Sequence, residues 1–274
     1  MDNNEINKIQ KLCRKIRREV IEMIYTAKSG HPGGNLSAVE IITTLYTKIM
    51  KNYPDWDKNP DFKNRDRFIL SKGHASATLY AVLAECGYFP TSELNTFRKL
   101  GSKLQGHPSC KLLKGIEVST GSLGQGLAMA NGISLGLKLN KNPAYVYAYL
   151  GDGELQEGSI WEAVMAAAHY KLDNLSAFVD CNGLQIDGQT CNIMDLCDIS
   201  QKFEAFGWDT ISIDGHNIQE IEDAVINAKG NDKPTVIIAK TVKGKGVSFM
   251  ENQVGWHGKA PSKEDYELAI KELI

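Results

Sequence analysis

The sequence predicts an α/β fold, a parallel sheet with helices on both faces. Two observations carry that prediction. From residue 117 onward, β-prone runs alternate with helix-like runs along the chain. Each β-prone run is almost continuously apolar, as in "AYVYAYL", "SAFVDC" and "PTVIIAK". Strands buried on both faces read that way, whereas a half-solvated antiparallel strand would alternate. A length of 274 residues suits one such domain with extra helices, here expected to span the whole chain.

The elements follow in order. Ile6, Ile9, Leu12, Ile16, Val20, Met23 and Ala27 recur at spacings of three and four, so 5–28 reads as a long amphipathic helix. It stops at "KSGHPGGN", where glycine and proline break the pattern. A second helix is expected over 37–50, which completes an N-terminal helical part over 5–50, followed by the polar loop "NYPDWDKNPDFKNRD". "RFILS" (67–71) is a short buried strand, and "HASATLYAVLAECG" is the helix after it. The turn "STGSLGQG" leads into a helix ending near 139, then the strand "AYVYAYL" and a helix over 155–171. "SAFVDC" is a strand, "NGLQIDGQ" a turn, and a helix lies near 195–205. The strand "WDTISI", a helix over 217–229 and the strand "PTVIIAK" complete a sheet core of about 67–240. Residues 241–261 form a long loop, of the kind that is usually functional in a compact domain. A final helix is expected from Lys263 to Ile274, closing a C-terminal part over 241–274.

Composition narrows the function. A formal charge of −2 argues against a general nucleic-acid footprint. The six cysteines show no C-x-x-C pair and no zinc spacing, which suits a reducing compartment. No apolar run approaches the length of a membrane span, and "MDNNEINKIQ" lacks a signal-peptide pattern. A soluble, cytoplasmic protein with no membrane or nucleic-acid partner is expected.

The chemistry lies at strand ends. In an open parallel sheet, ligands bind beyond the carboxyl ends of the strands. Asp152 follows one strand and Asn182 follows the next, so one βαβ unit delivers a carboxylate and a carboxamide to one rim. Both are hard oxygen ligands suited to Mg²⁺ or Ca²⁺, and such sites are completed by waters and ligand phosphates. Gly151 and Gly153 allow close backbone approach and offer N–H groups at a helix N-terminus. A Gly-Asp-Gly sequence alone is an ordinary turn; the strand before it, the helix after it and Asn182 give it the metal reading. Five of the six histidines (His31, His74, His107, His216 and His257) sit beside glycine, on loops where a ring can reach a ligand.

These segments together resemble the transketolase family. "GDGELQEGS" followed by "NGLQIDG" looks like the thiamine-diphosphate motif, and Glu157 in "LQEG" is similar to transketolases in particular. "SGHPGG" (29–34), "NRDRFILSKGHAS" (64–76), "QGHP" (105–108), "STGSLGQGLAMANG" (119–132) and "GWHGKAP" (255–261) match in the family's order across nearly the whole chain. The resemblance implies a diphosphate-domain fold that binds thiamine diphosphate with Mg²⁺ or Ca²⁺. It implies that Asp152 and Asn182 bind the metal by side chains and Leu184 by its carbonyl. Gly151, Gly153, Glu154, Ile186 and His74 would lie around the cofactor. Gly121, Ser122 and Leu123 would meet its aminopyrimidine end. His31, His107 and His257 would contact sugar hydroxyls and relay protons, with His257 also touching the cofactor. Glu157 matches a glutamate that couples two cofactor sites across a dimer. His216, before a helix starting near Asn217, is expected in a turn and N-cap, and His169 in a structural role. Lys243 and Lys245 are expected as loop lysines at the surface. Cys181 replaces a second asparagine, Lys72 an asparagine common in long transketolases, and Ser122 a frequent proline. These departures look like the shorter, two-chain members.

The resemblance also implies a missing half. The family's glutamate against the aminopyrimidine ring comes from a second, pyrimidine-binding domain, and no further βαβ series supplies it here. Either a companion chain carries that domain, two copies of each, or the sequence is a piece of a longer chain; the last helix, which reads as the natural end of a subunit, favours the companion. The implied reaction moves a two-carbon ketol unit from a ketose, usually phosphorylated, to an aldose. Two alternatives stay open: a 1-deoxyxylulose-5-phosphate synthase-like or other thiamine-dependent ketoacid enzyme, and a non-catalytic assembly or regulatory chain.

Overall fold

The computed structural model describes residues 1–55 and 58–273. Trp56 and Asp57 of the expected polar loop, and Ile274 at the expected end of the last helix, lie outside the described residues. In chain order the elements begin with α1 (Asn3–Ala27), α2 (Pro32–Leu36), α3 (Val39–Thr44), β1 (Arg67–Leu70) and α4 (Ser76–Glu85). Next come α5 (Gly126–Leu139), β2 (Val146–Gly151), α6 (Gly158–His169) and β3 (Leu175–Cys181). A small antiparallel ladder of β4 (Leu184–Gln185) and β5 (Gly188–Gln189) precedes α7 (Thr190–Met194) and α8 (Ile199–Ala205). The last elements are β6 (Asp209–Asp214), α9 (Ile218–Lys229), β7 (Thr235–Lys240) and α10 (Lys263–Glu272).

Five strands form one sheet in the order β1-β2-β3-β7-β6, with every pair parallel. The predicted two-sided burial is visible within single strands. Tyr147 and Tyr149 of β2 face one apolar cluster, which also holds Phe68, Phe178, Ile237 and residues of α1, α3, α4 and α9. Val146, Ala148 and Leu150 face the other, with Ile69, Val179, Val236 and residues of α5 and α6. Alternate side chains therefore enter different cores, and both must be apolar. Burying one such side chain stabilises the fold by about 1.5–3 kcal/mol.

The boundaries have local causes. Asp2 caps α1 in a capping box with Glu5, and Lys28 ends it in the left-handed region at φ 52°. The helix expected over 37–50 is instead three short pieces. It starts early, at Pro32 in the first turn of α2, and α3 passes into a π-helical turn over Leu45–Ile49. The break between α2 and α3 turns Ser37 toward the sheet, where its hydroxyl meets Asp180. The last helix starts at Lys263 as expected, under a Ser262–Asp265 capping box, and runs to Glu272. Among the described residues, no helix is long and apolar enough to cross a membrane.

Candidate active site

Asp152 and Asn182 stand one residue past the ends of β2 and β3, which are direct neighbours with Gly151 opposite Asp180. The topology thus brings the two predicted oxygen ligands to one point on the carboxyl rim. Gly183 follows at φ 75°, a conformation that side chains rarely adopt. That turn aims its N–H at Asp152 Oδ2 (2.6 Å), while Gly153 N–H donates to Oδ1 (2.8 Å). Asp152 is 4% exposed. Burial, with the negative Asp180 nearby, pushes its carboxyl up to about 6, against the pull of these two N–H bonds. A buried anion without a cation partner is poorly placed unless a cation joins it. One carboxylate, one carboxamide and the Leu184 carbonyl form an oxygen donor set that fits Mg²⁺ or Ca²⁺. Among the described residues, no group of three His, Cys, Asp or Glu is arranged for a metal, so softer ions have no set of their own here.

Around these ligands lies a cleft of about 330 Å³, at the lower end of the roughly 300–1,000 Å³ of small-molecule sites. His31, His74, His107, Gly121, Leu123, Gly151, Gly153, Glu154, Glu157 and Ile186 all line it with Asp152, Asn182, Leu184 and His257. Ser122 does not. It is exposed on the neighbouring turn, where its carbonyl accepts from Gln125 N–H. Glu154 lines the cleft but is already committed: its carboxylate accepts from Gly124 N–H (2.9 Å), Gly151 N–H (3.1 Å) and Ser71 Oγ. It braces the Gly121–Gly124 turn against the end of β2. Gly121 itself packs against the His107 ring, which a side chain at that position would meet at 3.0 Å.

The histidines form a cluster, with His31 ring centroids 5.3 Å from His74, 5.6 Å from His257 and 6.5 Å from His107. Burial and neighbouring cations keep all four uncharged near neutral pH. His31 falls to about 4, through burial, Arg98, His107 and Lys243. His257 falls to about 3, through burial, Lys243 and His31. His74 lies well below its ordinary value and His107 also below it, each chiefly by burial. Neutral imidazoles both donate and accept, which suits hydroxyl recognition and proton transfer.

Lys243 corrects the sequence reading. It is not a surface lysine but 2% exposed inside the cleft, with Nζ 2.9 Å from the Leu184 carbonyl and 2.9 Å from His257 Nδ1. A charged lysine only donates, so His257 Nδ1 accepts and its Nε2 carries the proton. Burial and Lys72 lower the Lys243 ammonium to about 8. The positional rule that found Asp152 and Asn182 also finds Lys243, three residues beyond β7. Lys72 was missed in the same way: it follows β1, is buried, and pairs with Asp180 at the end of β3. Lys245 does lie toward the surface, 3.6 Å from Glu251. His169 is exposed at the end of α6, its ring edge-on to Tyr170 at 4.9 Å. Cys181 keeps its thiol protonated, burial and the two aspartates raising it to about 11.

Comparison with known proteins gives one family. A model described as "Transketolase, thiamine diphosphate binding domain" matches residues 8–273. An apulose-4-phosphate transketolase subunit of Phocaeicola vulgatus is 41% identical, over 98% of this chain and 95% of that protein. The 6-deoxy-6-sulfo-D-fructose transketolase subunit of Clostridium sp. is 43% identical, over 97% and 96%. The crystal structure of transketolase from Campylobacter jejuni superposes with a TM-score of 0.91 at 36% identity, covering all of this chain but 43% of that one.

Proposed function

The chain belongs to the transketolase family, and we propose that it is the cofactor-binding subunit of a two-chain transketolase that moves a two-carbon ketol unit from a ketose phosphate to an aldose phosphate. The observation that carries this reading is the meeting of Asp152 and Asn182 on adjacent strand ends under a cluster of four uncharged histidines. Asp152, Asn182 and the Leu184 carbonyl would hold Mg²⁺ or Ca²⁺, and the cation would offset the buried Asp152 charge. Gly151 and Gly153 let the backbone approach a diphosphate beside that cation, Glu154 fixes the turn that faces it, and His74 closes the cleft. Gly121, Ser122 and Leu123 are assigned to the aminopyrimidine end and Ile186 to the cofactor's flank. Lys243 joins the assigned residues, because its ammonium can exchange the Leu184 carbonyl for a diphosphate oxygen and so free that carbonyl for the metal. When bound, thiamine diphosphate supplies the carbon nucleophile and electron sink that let a bond between sugar carbons break and form. This chain's part is to orient the sugar and handle protons: His31, His107 and His257 present uncharged rings to its hydroxyls, and His257 does so through Nε2–H.

An exposed apolar rim of the cleft supports a companion chain. Ile186 is 65% exposed and Leu123 36%, an apolar rim beside the proposed cofactor position. The chain spans 95% of its two-chain relative but 43% of the single-chain enzyme. A second chain with a pyrimidine-binding domain, two copies of each, would cover that rim, and exposed Glu157 would face the neighbouring site. The two-chain relatives are named for branched and sulfonated sugars, so such ketoses stand beside common sugar phosphates as donors.

The test is to purify the chain with its companion from the native lysate and titrate thiamine diphosphate with and without Mg²⁺. Metal-dependent binding and a two-carbon transfer seen by mass spectrometry are expected. A companion-bearing complex that binds no thiamine diphosphate would leave the non-catalytic alternative standing.

A further inference from the structure

The segment that brings Lys243 into the cleft, residues 241–246, leaves the sheet at the end of β7. Two side chains outside the cleft grip it, Arg17 and His216, and a third, Glu40, links them. Arg17 of α1 donates from Nε to the Lys245 carbonyl (2.9 Å), and its Nη2 lies 2.7 Å from the Glu40 carboxylate on α3. Glu40 lies 2.9 Å from His216 Nδ1, and His216 Nε2 lies 2.9 Å from the backbone nitrogen of Val242. The backbone N–H can only donate, so Nε2 must accept. The ring proton therefore sits on Nδ1 and is donated to Glu40. The expected role of His216 as a helix cap falls to Asn217, whose side chain accepts from Gln219 and Glu220 N–H.

None of these three residues lines the cleft, yet Arg17 and His216 meet the chain on both sides of Lys243. Their side chains are largely buried, at 7% exposure for Arg17, 10% for Glu40 and 13% for His216. Burial acts to raise the Glu40 carboxyl, but the bonds from His216 and the charge of Arg17 hold it below its ordinary value. It remains an anion that orients both neighbours. Gly246 is packed so closely that a side chain there would meet Arg17 Cδ at 2.9 Å.

We propose that His216 is a positioning residue: held in its Nδ1–H tautomer by Glu40, it fixes Val242 and thereby sets Lys243 at its place in the cleft. For cofactor affinity this rests on the functional reading above; the anchoring itself does not. His216→Phe fills the same space without the acceptor, whereas His216→Gln restores an acceptor and a donor.

Hydrogen exchange of the full chain measures the anchoring directly. Peptides over 241–247 should exchange about tenfold faster in His216→Phe, as expected for a lost buried bond, and near the wild-type rate in His216→Gln. In the complex with the companion, the thiamine diphosphate dissociation constant should rise about tenfold in His216→Phe, with kcat at saturating cofactor retained and affinity restored in His216→Gln. Unchanged exchange in His216→Phe, or equal losses in both variants, would overturn the proposal. Should His216→Phe not fold, ¹⁵N NMR of wild-type imidazoles decides: an Nδ1–H tautomer at His216 supports the anchor, and an Nε2–H tautomer refutes it. A wild-type complex that fails to bind thiamine diphosphate would sink the functional reading while leaving the exchange and NMR results to judge the anchor.

Discussion

Replacing Lys72 by methionine keeps the apolar stem and removes one charge from the most buried ion pair among the described residues. Lys72 is 2% exposed and Asp180 0%. Lys72 Nζ pairs with Asp180, donates to the Gly34 carbonyl (3.0 Å) and stands 5.1 Å over the Tyr149 ring. Removing one partner of a buried pair costs about 3–5 kcal/mol, because a charge is left alone in a poor solvent. Here Asp180 keeps two hydroxyl donors, Ser37 Oγ at 2.6 Å and Thr241 Oγ1. The lower end applies, about 3 kcal/mol, which lowers Tm by roughly 6–12 °C for a domain of this size. The pH dependence has a definite sign. In the wild type, burial opposes ionisation of Asp180, but Lys72 and the hydroxyls win and its pKa is lowered. Its contribution is therefore present above the unfolded carboxyl value of about 3.9 and fades as pH falls through the folded one. In Lys72→Met the folded value moves up instead. The deficit against wild type should be largest near pH 7–8 and shrink toward about pH 4, as the isolated carboxyl takes a proton. Urea unfolding followed by tryptophan fluorescence at pH 7.5 and 5 measures it. The double variant Lys72→Met/Asp180→Asn should recover more than half of the loss. A loss below about 1 kcal/mol at pH 7.5, the level of a surface pair, or no recovery in the double variant, would refute the buried-charge account.

Other expectations concern the cleft and its supports. Asp152→Ala should abolish retention of thiamine diphosphate through gel filtration, since the proposed metal would lose its one charged protein ligand; a normal holoenzyme would remove Asp152 from the proposed metal site. His107→Ala should retain the cofactor and lower turnover by about 10²-fold or more, as loss of acid–base or hydroxyl contacts does, and unchanged kinetics would return His107 to a packing role. Gly33→Ala places a methyl 3.0 Å from both Lys243 Cγ and the Trp256 carbonyl; calorimetry should show a loss of about 1–3 kcal/mol together with weaker cofactor binding. Asn217→Ala removes the cap of α9 and should cost about 1 kcal/mol in urea, with cofactor affinity unchanged.

The sheet was legible because each strand is buried on both faces and reads as an apolar run. "AYVYAYL" became β2 within two residues at its start and one at its end. Asp152 and Asn182 were legible for a related reason: the end of a parallel strand has a known address. What stayed hidden depends on partners far away in sequence. Lys243 sits among glycines and polar residues, a surface-like neighbourhood, and only its approach to Leu184, 59 residues earlier, buries it. His216 lies beside a true cap residue, and nothing local points to Glu40, 176 residues away. The helix expected over 37–50 carries enough apolar residues for continuity. It breaks because Ser37 answers a buried carboxylate on β3 that periodicity cannot see.

The strand order has a consequence for how the molecule is made. β3 pairs with β2, which precedes it by 23 residues, and on its other flank with β7, which arrives 53 residues after it ends. β6 is synthesised before β7 but can join the sheet only through it. Until β7 is available, a nascent chain carries an unpaired apolar edge along β3 and a loose β6, the kind of surface on which chains stick to one another. β7 must find its place between two strands already waiting, a non-local closure that slows folding. The gap it fills also delivers Thr241 to Asp180 and Lys243 to the cleft, so the step that seals the sheet and the step that completes the cleft are the same event.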